Sequence, residues 1–170
     1  MDPSTNIILI GMCGVGKSTV GVLLAKALNR DFIDSDLCLQ RQFNMPLPRM
    51  IEYTGVESFC RIEEHCLLDL AQNTTGTVIA TGGSAVYSDL AMTHLGRTGP
   101  LVHLDLDFDT IQHRVQDPHA RGVAIEPGET LQSLYDKRLP LYRKYAVITV
   151  PCVHKTHDEV VSTILAKLPG

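Results

Sequence analysis

The sequence predicts an α/β fold in which a parallel five-stranded sheet lies between two layers of helices. Three observations support this: short β-branched apolar runs alternate with amphipathic helical segments, glycine or aspartate ends several of the runs, and no repeat or low-complexity tract interrupts the order. A chain of 170 residues with 44% hydrophobic and 20% charged residues can build a core of its own. We therefore expect one domain over residues 1–170.

Each expected strand is an apolar run, and each expected helix repeats its apolar residues three and four positions apart. The strands are expected at residues 6–10, 32–33, 78–81, 101–106 and 147–150. The helices are expected at residues 17–28, 58–70, 109–115, 130–140 and 157–168, with Pro140 ending the fourth. Because a helix separates consecutive strands in most of this order, the strands are expected to run parallel.

The composition excludes several classes of protein. A formal charge of −4 provides no basic surface for nucleic acid or an anionic membrane. Five cysteines without a CxxC pair do not suggest a disulfide framework or a zinc site, and His65, His94, His103 and His113 lack metal-ligand spacing. No secretory signal or membrane-spanning run is recognised. We expect a cytoplasmic monomer that acts on a small molecule.

The strongest motif is the segment GMCGVGKST at residues 11–19, which fits the pattern G-x-x-x-x-G-K-[ST]. It follows an expected strand and opens an expected helix, so a chance glycine-rich turn is a poor alternative. The motif predicts the three-layer P-loop NTPase fold and an ATP site, with Lys17 on the β- and γ-phosphates and the Ser18 hydroxyl on Mg²⁺. The residues expected to contact ATP here are Gly11, Gly14, Val15, Gly16, Lys17, Ser18 and Thr19.

Two further segments follow expected strands, at the edge of the sheet where ligands bind in open α/β folds. Asp34 and Asp36 would share one face of an extended chain, so one could serve Mg²⁺ and the other orient an acceptor hydroxyl. A helix cap plus a solvated aspartate is the alternative. Residues 81–84, Thr-Gly-Gly-Ser, leave room for a ligand to approach the backbone, although a plain turn would have the same composition.

A long connection at residues 116–129 contains two prolines and two glycines between expected helices, which is typical of a lid. Arg114, Arg121 and Arg138 lie near this segment or beyond it. Each could be an ordinary surface residue, but phosphoryl transfer requires positive charge over the γ-phosphate.

Taken together, these motifs resemble the shikimate kinase family over about residues 6–168. The segments that carry the resemblance are the phosphate loop, FIDSD at 32–36, FCRIEE at 59–64, ATGGS at 80–84 and RLPLY at 138–142. The resemblance implies an ATP- and Mg²⁺-dependent kinase of aromatic amino acid biosynthesis.

The resemblance also implies a role for individual residues. Lys17, Asp36 and Arg121 would be catalytic, with Arg121 reaching the γ-phosphate from the lid. Ser18 and Asp34 would serve the metal, and Arg114 would stack on adenine while the segment 151–155, with Lys155, closes over the base. The acceptor would be bound by Asp36, Arg61, Gly82, Gly83 and Arg138, the last of which would bind its carboxylate.

Three positions depart from the family pattern. Cys60 stands where the family has a carboxylate-binding arginine, with Arg61 next to it, and Ser84 replaces the third glycine of the triplet. The lid has Arg-Gly-Val-Ala at 121–124 where the family usually has Arg-Pro-Leu. The phosphate chemistry is therefore intact while the acceptor site is altered.

The interpretation is a kinase that transfers the γ-phosphate of ATP to a hydroxyl group of a small hydroxy acid, with shikimate as the leading candidate. One alternative is a kinase for another hydroxy or sugar acid, such as gluconate, which Cys60 and Ser84 favour. The other is a nucleotide-binding regulatory module without transfer, which would have no need of Asp36 and Arg138.

Overall fold

The computed structural model describes residues 2–169, which form a five-stranded sheet with helices packed around it. The strands are β1 (Ile7–Ile10), β2 (Asp31–Asp34), β3 (Thr77–Ala80), β4 (Leu101–Asp105) and β5 (Ile148–Pro151). The helices are α1 (Lys17–Leu28), α2 (Ser35–Phe43), α3 (Leu47–Thr54), α4 (Val56–Asn73), α5 (Asp89–Thr98), α6 (Phe108–Arg114), α7 (Leu131–Tyr145) and α8 (His157–Lys167). The predicted fold class is confirmed.

All neighbouring strands pair in parallel, in the order β2-β3-β1-β4-β5. Strand β1 is central, and all four of its residues are completely buried. Helices cover both faces of a parallel sheet, which explains why this strand is a continuous apolar run without polar alternation.

The strand register brings three functional segments to one edge of the sheet. Leu9 of β1 and Asp34 of β2 both pair with Ala80 of β3, so these strands end at the same level. The phosphate loop after β1, the aspartates after β2 and the glycines after β3 therefore meet at the carboxyl edge of the sheet. Binding sites of open parallel sheets lie at this edge.

Helix α7 differs from the prediction because it continues through Pro140 to Tyr145. A proline inside a helix removes one backbone hydrogen bond, here the one to the carbonyl group of Asp136. Asp136 and Pro140 both lie on the exposed side of α7, where water can satisfy that carbonyl. Arg138 and Tyr142 are buried on the opposite side and keep the helix in place.

Helices α2, α3 and α5 were not predicted. Helices α2 and α5 bury only two or three side chains each. Helix α3 has apolar residues three and four positions apart at Leu47, Met50 and Ile51, so the sequence did contain a signal for it. Helices α2 and α3 contribute to a small hydrophobic cluster separate from the main core, formed by Leu39, Leu47, Met50, Phe59 and Ala124. Within residues 2–169, no helix combines the length and the apolar character that crossing a membrane requires.

Candidate active site

A cavity of about 710 Å³ opens at the carboxyl edge of the sheet and joins the phosphate loop to the segments after β2 and β3. We call the part around residues 13–19 the phosphate end, and the part around Asp36, residues 82–84 and Arg138 the acceptor end. Residues 121–124 of the predicted lid also line the cavity. Residues that are far apart in the sequence therefore line one cavity.

The phosphate end is built mainly from backbone. Gly14 and Gly16 have φ angles of 80° and 103°, which side chains rarely allow, so the loop can curl around the start of α1. Gly16 caps α1 without a side-chain hydrogen bond, which leaves the first N–H groups of the helix free for an anion. Val15 is buried beneath the loop, and Ser18 and Thr19 line the cavity above it.

Lys17 is the buried cation of the phosphate end, with 8% of its surface exposed. Its Nζ donates hydrogen bonds to the carbonyl oxygens of Gly11 at 2.7 Å and Met12 at 2.9 Å. Burial lowers the pKa of Lys17, while the nearby Cys13 and Asp36 act in the opposite direction. The ammonium group is therefore held in the loop, where phosphate oxygens can replace the two carbonyls.

Ser18 and Asp34 meet at the end of β2. The Ser18 hydroxyl donates a 2.6 Å hydrogen bond to Asp34 Oδ2, and Asp34 Oδ1 accepts from the backbone N–H of Asp36 at 3.0 Å. Asp34 thus caps α2, so the predicted shared face of an extended chain is wrong: Asp36 lies in the first turn of that helix. A hydroxyl and a carboxylate side by side offer the hard oxygen ligands that Mg²⁺ prefers.

Asp36 nevertheless faces the cavity, beside Gly82. Burial raises the pKa of Asp36 to about 6, and the neighbouring Asp34 carboxyl acts in the same direction. A carboxylate whose pKa lies near neutrality suits a group that accepts a proton from a hydroxyl.

Arg138 is the buried cation of the acceptor end, with 1% of its surface exposed. Its Nε donates to the Tyr87 hydroxyl at 3.1 Å and its Nη2 to the carbonyl oxygen of Ala124 at 2.7 Å. Its Nη1 lies 3.1 Å from the position that a Cβ on Gly83 would occupy. Tyr142 supports the same segment by donating a 2.6 Å hydrogen bond to the Gly83 carbonyl oxygen.

Glu63 on α4, to which no role was assigned from the sequence, packs against Gly82 and lines a smaller neighbouring cavity of about 460 Å³, not the main one. It is 1% exposed, and its Oε1 has no hydrogen-bond partner in the described part of the chain. A Cβ on Gly82 would lie 2.1 Å from this oxygen and 2.8 Å from Asp36 Oδ1, so glycine is required there. Burial and the Asp36 charge raise the pKa of Glu63 to about 7. The segment 59–64 carries part of the family resemblance, but its helical pattern did not show that this glutamate faces Gly82.

The outer rim of the phosphate end carries Arg114 and Arg121, which both line the cavity. The Arg114 guanidinium donates to the carbonyl oxygen of Gly14 at 3.2 Å. His113 and His157 line the same rim, although no motif pointed to them. Lys155 lies apart from the cavity and directs its Nζ toward Thr163 Oγ1 at 3.5 Å.

Arg61 does not take the place expected for it. Its side chain is 65% exposed, pairs with Glu57 at 3.4 Å and lies outside the main cavity. Successive helical residues point about 100° apart. Phe59 therefore reaches the cavity while Arg61 faces solvent, and the expectation that Arg61 binds the acceptor is corrected.

Comparisons with known proteins agree with this geometry. The family model described as shikimate kinase matches residues 13–169. The shikimate kinase of Synechococcus sp. (strain RCC307) is 36% identical over 98% of this chain and 85% of the relative. That of Shewanella oneidensis is 34% identical over 99% of both chains.

Solved structures give the same result. A shikimate kinase from Acinetobacter baumannii in complex with shikimate has a TM-score of 0.86 and 31% identity, covering 98% of this chain and 96% of that one. A gluconokinase from Sinorhizobium meliloti, with a TM-score of 0.50, 20% identity and coverage of 96% and 90%, shares the fold alone. The chain therefore belongs to the shikimate kinase family and is an ATP-dependent kinase that phosphorylates a hydroxyl group.

Proposed function

We propose that this chain transfers the γ-phosphoryl group of ATP to a hydroxyl group of shikimate and that it requires Mg²⁺. The observation that carries the proposal is the single cavity in which a phosphate loop faces a carboxyl group, Asp36, and a buried guanidinium, Arg138. A hydroxy acid has a hydroxyl group that can bind Asp36 and a carboxylate that can bind Arg138. The Acinetobacter baumannii relative, which contains shikimate, supports this choice of acceptor.

At the phosphate end, the loop backbone and the start of α1 would hold the β- and γ-phosphates through N–H groups. Lys17 would exchange the carbonyl oxygens of Gly11 and Met12 for phosphate oxygens. Ser18 and Asp34 would hold Mg²⁺ through their hydroxyl and carboxylate oxygens. When bound, the ion would neutralise charge on the phosphate oxygens.

At the acceptor end, Asp36 would accept a hydrogen bond from the reacting hydroxyl and take its proton as the phosphoryl group is transferred. Arg138 Nη1 and the backbone at Gly82 and Gly83 would position the carboxylate and ring of the acceptor. Because catalysis of phosphoryl transfer depends mainly on positioning and charge, this fixed wall is the main contribution of the acceptor end.

The segment 116–129 would act as a lid. Its residues 121–124 line the cavity, and the carbonyl oxygen of Ala124 is bound by Arg138, so the lid is tied to the acceptor end. Arg121 would then neutralise the γ-phosphate, and Arg114 would lie against the adenine. Exclusion of water by such a closure limits the wasteful hydrolysis of ATP.

A coupled assay of ADP release, with Mg²⁺ and either shikimate or gluconate, tests the proposal. We expect saturable turnover that depends on shikimate, and loss of that turnover in Lys17→Met. ADP release that no acceptor increases would contradict the proposal and favour a module without transfer. Turnover on gluconate with none on shikimate would instead establish the alternative that Cys60 suggested.

A further inference from the structure

Glu63 is a buried carboxyl group to which the proposed mechanism assigns no role. Only 1% of its surface is exposed, and its Oε1 lacks a hydrogen-bond partner among residues 2–169. Buried polar atoms in folded proteins are nearly always hydrogen-bonded, so an unpartnered oxygen beside a binding cavity requires an explanation.

Glu63 packs against Gly82 together with Asp36, next to the residue that Arg138 approaches. Its Oε1 and Asp36 Oδ1 both approach Gly82, while Arg138 Nη1 approaches the next residue, Gly83. Adjacent residues are 3.8 Å apart at their Cα atoms. The charges of Arg138 and Asp36 both act on Glu63, so the charge of a carboxylate bound at Arg138 would act on Glu63 as well.

The surroundings of Glu63 leave its charge without a dedicated cation. The residue one helical turn before it on α4 is Cys60, whose thiol is neutral because burial raises its pKa to about 11. Arg61 pairs with Glu57 at the surface. No ion pair of the described chain includes Glu63.

Two cations and two other groups on neighbouring elements act on the charge of Glu63. The groups that act on Glu63 are Asp36 on α2, Ser84 after β3, Arg138 on α7 and Lys17 at the phosphate loop. Lys17 is held by two loop carbonyls, and two nitrogens of Arg138 are held by Tyr87 and Ala124. Neither cation therefore forms a fixed pair with Glu63.

We propose that Glu63 is a specificity-determining residue of the acceptor end, whose negative charge weakens the binding of an acceptor carboxylate at Arg138. The proposal rests on the proposed function, because it concerns the acceptor of that reaction. It follows that the site holds a carboxylate acceptor more tightly when Glu63 carries a proton or is matched by a cation.

The direction of the pH dependence follows from this arrangement. Burial and Asp36 hold the pKa of Glu63 above its ordinary value, so the proton is lost near neutral pH rather than in acid. The KM for the acceptor should thus rise as the pH increases through this range, by about fivefold to tenfold for two charges that interact across a partly buried wall. The KM for ATP should change little, since Lys17 and the loop backbone bind the phosphates.

The test measures the KM for shikimate and for ATP between about pH 6.5 and 8.5 in wild type, Glu63→Gln and Cys60→Arg. Glu63→Gln removes the charge, and Cys60→Arg supplies a cation one turn away on α4. We expect Glu63→Gln to lower the KM for shikimate at high pH by about fivefold and to flatten its pH profile. Cys60→Arg places an arginine where the family has its carboxylate-binding arginine, so it should lower this KM at every pH. Glu57→Gln, at an exposed acid of the same helix, is the matched control and should keep the wild-type profile.

A purely structural role for Glu63 would give a different result. Loss of packing would raise the KM for shikimate or lower kcat at every pH, and Glu63→Gln would not improve binding. An unchanged profile in Glu63→Gln overturns the role of Glu63. If Glu63→Gln does not fold, the wild-type profile decides, because a KM for shikimate that does not rise with pH also overturns the role. Absence of turnover on shikimate in the wild type contradicts the proposed function instead, so the two failures are distinguishable.

Discussion

The phosphate end and the acceptor end of the cavity are constructed in different ways. The phosphate end is centred on one continuous segment, in which glycine backbone, the start of α1 and Lys17 create an anion site, while Arg114 and Arg121 add positive charge at its rim. The acceptor end combines side chains from α2, α4 and α7 with backbone from the turn after β3. A short motif therefore specifies the first region, whereas the tertiary fold must assemble the second.

The two regions also differ in the hydrophobic clusters that support them. Met12 and Val15 of the phosphate loop belong to the main core around the sheet. Phe59 and Ala124, which line the acceptor end, belong to the small cluster shared by α2, α3 and α4. Tyr142, which holds the Gly83 carbonyl, belongs to the main core and contacts Met12 Sδ at 3.7 Å, so the acceptor end is supported by both clusters.

The largest effect is expected at Lys17. Lys17→Met removes the buried ammonium group next to the phosphates and should lower kcat by about 10²- to 10³-fold, as for other preorganised charges at a reacting group. Initial rates of ADP release at saturating shikimate provide the measurement. Lys26→Met, at an exposed lysine near the end of α1, is the control and should retain activity. Near-normal kcat in Lys17→Met would show that the phosphate end is wrongly assigned.

Asp36→Asn should affect the acceptor end while sparing the phosphate end. Loss of the proton acceptor is expected to reduce kcat by about 10²-fold. The KM for ATP should stay within about twofold of wild type, because Asp36 lies at the acceptor end and we do not expect its side chain to bind ATP. Steady-state kinetics with each substrate varied in turn measure both effects. A parallel loss of ATP affinity would show that Asp36 also contributes to ATP binding, which contradicts the separate roles of the two ends.

Arg138→Lys tests the guanidinium that we assign to the acceptor carboxylate. Lysine keeps the charge but cannot reproduce the contacts to Tyr87 and Ala124 together with a third nitrogen at Gly83. We expect the KM for shikimate to rise by about tenfold, the lower end of the loss for one charge-assisted hydrogen bond. Thermal unfolding of the variant must be measured as well, since Arg138 is buried. An unchanged KM for shikimate in a folded Arg138→Lys variant would show that the acceptor carboxylate does not bind at Arg138.

The smallest effect is expected at the metal ligands. Ser18→Ala removes a hydroxyl that touches Asp34 and should raise the Mg²⁺ concentration for half-maximal rate by about fivefold, the equivalent of one neutral contact. A titration of activity with Mg²⁺ at fixed ATP measures it. Thr19→Ala, at the neighbouring exposed hydroxyl, serves as the comparison and should change this requirement less.

The sequence predicted the fold and the phosphate end well because both depend on local patterns. Strand β1, the loop and α1 follow one another without interruption, so their residues need no tertiary information to be recognised. Helix α7 was predicted too short, since the sequence does not reveal that the carbonyl freed by Pro140 faces water.

The acceptor end was predicted only in part. Asp36 and Arg138 were recognised from motifs, but the direction in which a helical side chain points depends on how the helix packs. For this reason Arg61 was expected in the cavity and lies in solvent, while Glu63, two residues later, is buried beside Gly82. The missing hydrogen-bond partner of Glu63 is a tertiary property that no local pattern contains.

The identity of the phosphorylated product tests the central claim most directly. Phosphorus NMR of a reaction with ATP, Mg²⁺ and shikimate separates a phosphate ester from free phosphate. We expect each ADP formed to be matched by one molecule of phosphorylated shikimate. ADP matched by free phosphate alone would contradict it, because the cavity would then bind and hydrolyse ATP without delivering the phosphoryl group to the acceptor end.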